Sequence, residues 1–168
     1  MTTIRNLLRL CAAGLALAAC VAPAATEGLL NTKRLSAALA AEAVAAAVQA
    51  CAQKNYYVSA VVLDYSGVRQ AALRGDNAAS QNMLTANDKA FTAATFETDT
   101  AVLVERSRTS SVSTSFAKVP HLVLAGGGVV IKVGNEVIGA IGVSGAPGGD
   151  NDAQCAKAGV DKIKDRMK

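Results

Sequence analysis

Val137-Ile138-Gly139-Ala140-Ile141-Gly142-Val143-Ser144-Gly145 carries no charge and is built from β-branched and very small residues. Its first seven residues, Val137 to Val143, read as a strand that ends before Ser144-Gly145. It is the last of three strand candidates in quick succession, His121 to Ala125, Val129 to Val133 and Val137 to Val143, divided only by Gly126-Gly127-Gly128 and by Gly134-Asn135. Breaks that short allow hairpins and leave no room for the crossovers that parallel strands require. The stretch therefore belongs to a largely antiparallel sheet rather than a doubly wound one.

Working outward, Ser36 is placed to cap a helix from Ala37 to about Lys54, whose Ala40, Val44, Val48 and Cys51 recur at helical spacing. Val58 to Leu63 and Val68 to Arg74 form a second hairpin around the turn Asp64-Tyr65-Ser66-Gly67. From Ser80 a helical pattern runs through Lys89, Phe91 and Phe96, and Thr98 or Asp99 caps a third helix that reaches Arg108. The Ser/Thr-rich stretch Thr109 to Lys118 is a loop. On the far side, Ser144-Gly145-Ala146-Pro147-Gly148-Gly149 leads into a helix beginning near Asp152, with Ala153, Ala156, Val160, Ile163 and Met167 on one face. The order is helix, two strands, two helices, three strands, helix.

A chain of 168 residues holds one domain of ordinary size. Its 51% hydrophobic and 18% charged residues are those of a globular protein, and alanine supplies much of the apolar share. Arg5 and Arg9 precede an apolar run, Leu10 to Val21, too short to span a bilayer but suited to a signal peptide over residues 1–24. Leu17-Ala18-Ala19-Cys20 reads as a lipobox with lipidation at Cys20, and Ala22-Pro23-Ala24 as a competing site with cleavage after Ala24. Residues 25–34 are then a linker and 35–168 the folded domain, in the periplasm or anchored to the outer membrane. Without the leader arginines the formal +4 falls to about +2, with no basic stripe, which argues against nucleic acid. Cys51 and Cys155 remain after processing. In an oxidising compartment an even pair suggests a disulfide, the alternative being two buried thiols. No Cys-x-x-Cys spacing suggests structural zinc.

Three stretches together resemble the GlcG/HbpS family, whose members include haem-binding proteins and corrinoid adenosyltransferase C-terminal domains. They are Val58-Ser59-Ala60-Val61-Val62-Leu63-Asp64 with Gly67 and Arg74; Asp88-Lys89-Ala90-Phe91-Thr92-Ala93; and the Val137–Gly145 stretch followed by Asp152, Cys155, Ala156 and Gly159. The resemblance covers roughly Leu35 to Ile163. It implies an α/β (α+β) fold, profilin-like, with three α/β/α layers around a five-stranded antiparallel sheet, and self-association into homo-oligomers. It also implies haem as the ligand, or a corrinoid as the alternative, held for sequestration, transfer or sensing.

Each candidate residue has a functional and a structural reading. Gly127, Ser144 and Gly145 lie in glycine-rich segments that could be read as phosphate cradles, although neither is a Walker or dinucleotide fingerprint and tight turns also explain them; the segment with Ser144 and Gly145, just before a helix, could contact an anionic group such as a propionate. Lys89 could meet a ligand carboxylate or a neighbouring subunit's carbonyl, or extend to water. His121 is the single histidine, which excludes bis-histidine ligation within one chain and leaves one axial bond to haem iron, or an incidental imidazole. Thr92, Tyr56, Tyr57 and Met83 are the other available donors. Asp64, Asp76, Asp88 and Asp99 form no visible acid/base couple, and Ser144 lacks the spacing of a nucleophile elbow, so no catalytic residue is assigned. A binding module is the leading reading. An enzyme or accessory for a small hydroxy acid or aromatic metabolite, and a structural oligomeric envelope protein, are the alternatives.

Overall fold

The computed structural model describes residues 30–108 and 118–167, with positions 28 and 115. The leader with Cys20 and most of the 109–118 loop lie outside the described residues. Residues Thr32–Lys168 form one compact unit. Its elements are α1 (Ala37–Ala52), β1 (Ser59–Asp64), β2 (Arg69–Arg74), α2 (Gln81–Thr95), α3 (Thr100–Arg108), β3 (Gly128–Val133), β4 (Glu136–Ser144) and α4 (Gly149–Ile163), closed by a 3₁₀ turn, Lys164–Arg166.

Local chemistry accounts for most of these boundaries. Ser36 is extended (φ −68°, ψ 152°), and its hydroxyl accepts the Leu39 amide at 3.3 Å, satisfying one of the free donors at the start of α1. The β1–β2 turn is held by Asp64, whose carboxylate accepts the amides of Ser66 and Val68, both at 2.9 Å.

The strands form an antiparallel sheet in the order β2-β1-β4-β3. β1 is buried throughout and β4 from Val137 onward, because helices cover both faces. On one face Ala60, Val62, Ile141 and Val143 pack with Val44 and Ala47 of α1 and Ala156 and Ile163 of α4. On the other, Val61 and Leu63 pack with Ala86 and Ala90 of α2, and Ala140 with Ala93 and Ala94. Small residues set these distances. A Cβ at Gly142 would collide with the Ala86 carbonyl and stand 2.7 Å from the Ala90 amide nitrogen, so α2 rests directly on the β4 backbone. Cys51 and Cys155 are disulfide-bonded and join α1 to α4.

The expected fifth strand is a correction: the sheet of the described residues has four. His121 to Ala125 is irregular, and the β3 edge on which it would pair is already occupied. The Gly128 amide donates to Thr100 Oγ1 and the Val130 amide to Asp99 Oδ1, each at 2.9 Å, so side chains at the start of α3 satisfy donors that a strand would have met. The Val123 amide is likewise bonded to Thr92 Oγ1 at 2.9 Å. His121, at φ +66°, is not extended at all.

Candidate functional site

Asp88 and Lys89 are consecutive on α2 and point to different surroundings. The Lys89 side chain enters the interior, where Nζ lies 2.7 Å from Asp152 Oδ2 and donates to the Val143 carbonyl at 3.2 Å. The two side chains are 5% and 4% exposed. Asp152 also accepts the Ala146 amide at 2.9 Å through Oδ1. Burial pushes its carboxyl above the ordinary range, while Lys89 and the Ala146 and Gly145 amides hold it back toward ionisation. Gly127 closes the arrangement: its carbonyl accepts the Val143 amide at 2.9 Å, and a Cβ there would lie 2.8 Å from Asp152 Cβ and 2.9 Å from Lys89 Nζ. With φ at +122°, that position takes glycine on both counts. The pair therefore ties α2, β4 and the start of α4 together.

Asp88 faces outward. Its Oδ1 lies 3.1 Å from Nδ1 of His121, whose side chain is 69% exposed against 24% for the aspartate. The imidazole also meets the Phe91 ring edge-on, with centroids 6.4 Å apart. Below it, Thr92 Oγ1 donates to the Asp88 carbonyl at 2.7 Å and accepts the Val123 amide, fastening 121–123 to α2. Among the described residues Nε2 has no partner. A carboxylate on Nδ1 and an open Nε2 is the arrangement by which proteins orient a histidine for a metal and fix its tautomer. The left-handed backbone of His121 is tolerated better by histidine than by most side chains, and such conformations concentrate at functional positions.

A family model described as "Haem degrading protein HbpS-like" matches residues 35–161. The chain belongs to the HbpS-like family. Among solved structures, a Streptomyces reticuli HbpS double mutant is 34% identical, with 83% of this chain and 95% of that one covered and a TM-score of 0.74. A second HbpS structure is 33% identical over 82% and 96%, also at 0.74. A PduOC complex with haem, 23% identical over 78% and 96% with a TM-score of 0.72, shares the fold. No curated protein matches the chain.

In this HbpS-like chain the candidate residues divide between the two arrangements. Lys89, Gly127 and Gly145 meet around Asp152, with Ser144 at the adjoining end of β4, largely buried. The Lys89 ammonium is thus closed in by protein, which removes the open cation that a small acidic metabolite would need there. His121 and Thr92 belong to the outer arrangement. Two partners were missed. In the sequence Asp152 marks only the approximate start of the last helix, and Asp88 is one of four aspartates that form no visible acid/base couple. Their only sequence signal was membership in the family-like motifs. Among the described residues no group of three metal-binding side chains converges, and no helix is long and apolar enough to cross a membrane.

Proposed function

We propose that this chain is an exported haem-binding protein in which His121 supplies the axial bond to iron. The observation that carries the reading is the His121–Asp88 hydrogen bond, which leaves Nε2 open on an exposed ring beside Phe91. The family description, which names haem, supports the same ligand. Haem would bring the iron and its redox chemistry; the chain's own residues hold the imidazole by its other nitrogen and offer an apolar edge beside it. Nothing in the comparisons favours a corrinoid. The leader reading adds export, with an anchor at Cys20 or release after Ala24, and the bound haem is then sequestered or handed over outside the cytoplasm.

A haem titration of the purified protein, followed in the Soret region with cobalamin alongside, tests the ligand. Saturable one-to-one haem binding with no cobalamin binding is expected; non-saturating uptake would overturn it. His121→Ala should shift the Soret maximum and weaken binding, and an unchanged spectrum would remove His121 from the iron. Cys20→Ser should move the protein from the membrane to the soluble fraction if lipidation is the route.

A further inference from the structure

The β1–β2 register contains an irregularity whose effect is to re-aim one arginine. Val62 pairs with Ala71, but Leu63 pairs with Arg69, so Gln70 is an extra residue in β2. Ala71 packs on the α1 side of the sheet, and Gln70 Nε2 donates to the Leu35 carbonyl just ahead of α1 at 3.0 Å. Strict alternation from Ala71 would put Arg69 on that side too. The bulge places it instead opposite Leu63, on the α2 side.

There the guanidinium is held without being neutralised. Nε and Nη2 of Arg69 both donate to Asn87 Oδ1, at 3.2 and 2.7 Å, so a neutral amide fixes the fork and leaves its charge uncompensated. Among the described residues Nη1 has no partner. Asn87 is the residue before Asp88, so consecutive side chains of α2 hold Arg69 and His121. Phe91, one turn on, links the two sides: its ring meets His121 edge-on, and a Cβ at Gly67 in the β1–β2 turn would lie 3.1 Å from it. Tyr65 and Val68 of that turn are exposed, at 51% and 61%. An oriented imidazole, apolar surface and an oriented, uncompensated arginine therefore occupy one side of the molecule.

We infer that Arg69 is the carboxylate-recognising group of this site, so that the ligand class is a planar, largely apolar macrocycle bearing carboxylates and the bulge in β2 is a specificity device. The inference rests on the haem reading. Arginine suits the role because its planar fork matches a carboxylate and stays charged at any physiological pH.

The test compares haem with haem dimethyl ester, whose propionates are capped, on wild type, Arg69→Gln and His121→Ala. Arg69→Gln should weaken haem binding by about fivefold, the scale of a partly exposed ion pair, leave ester binding unchanged and leave the Soret maximum in place. Asn87→Ala, which frees the fork without removing it, should give a smaller loss for haem alone and covers the case of a poorly folding Arg69 variant. Equal losses for haem and ester, or none for either, overturn the inference. If haem binds and His121→Ala shifts the spectrum while Arg69→Gln matches wild type, Arg69 alone is wrong; if wild type binds neither compound saturably, the haem reading fails and the inference falls with it.

Discussion

Asp88 and Lys89 stand side by side on one helix, each facing a group of opposite potential charge, and the two contacts have different consequences. Lys89 and Asp152 are almost wholly out of water, and their remaining valences go to backbone groups. Asp88 and His121 stand at the surface, with one imidazole nitrogen engaged and one open. Burial converts the inner pair into architecture, because either charge left alone in the interior would be costly. Exposure leaves the outer pair cheap to alter and available to a ligand. Adjacent helix positions point about 100° apart, so one motif can serve both purposes.

Lys89→Met should lower unfolding stability by about 3–5 kcal/mol, because it strands the Asp152 carboxylate. Denaturant melts read this directly, and the double variant Lys89→Met/Asp152→Asn, which removes the stranded charge but keeps an oxygen for the Ala146 amide, should recover most of the loss. Replacing both Cys51 and Cys155 with Ala, which opens the link between α1 and α4 on the opposite face of the sheet, should cost about 2–4 kcal/mol. It should leave the His121 resonances unchanged, and the single histidine makes that NMR check unambiguous.

Gly127→Ala should cost about 1–3 kcal/mol, since it combines a left-handed backbone with a Cβ pressed against Lys89 and Asp152. His121→Gly should raise stability by up to about 1 kcal/mol by relieving the φ of +66°, while removing the imidazole proposed to hold the iron. A gain in melting temperature with lost haem binding is the expected pairing. Asp88→Asn should change stability by less than about 0.5 kcal/mol. It should nevertheless weaken haem binding by roughly tenfold, because the asparagine orients the imidazole without its charge. A large loss of stability from this variant would show that the outer contact is structural too.

The legible parts of the fold were governed by neighbours in the chain. Ser36 caps α1, Asp64 closes the β1–β2 hairpin, and the α1 periodicity identifies the face that carries Cys51; on α4 only Ala156 and Ile163 of the expected face are fully buried, and Asp152, Cys155 and Gly159 complete it in place of Ala153, Val160 and Met167. The fifth strand failed for a non-local reason: Thr100 and Asp99, more than twenty residues earlier, take the β3 donors that His121 to Ala125 would have needed. The candidate site was legible by residue type and not by pairing. His121 and Lys89 were named as candidates, but their aspartate partners lie 33 and 63 residues away from them.

The antiparallel α/β architecture, its helices and both hairpins can be read along the chain because caps, turns and periodicity act over a few residues, and three motifs carry the likeness to the HbpS-like family. That Lys89 is a closed internal tie and His121 an open, oriented imidazole emerges only when the elements pack. That choice depends on which side chains are removed from water when α2 settles on β4, and no pattern within α2 alone specifies it.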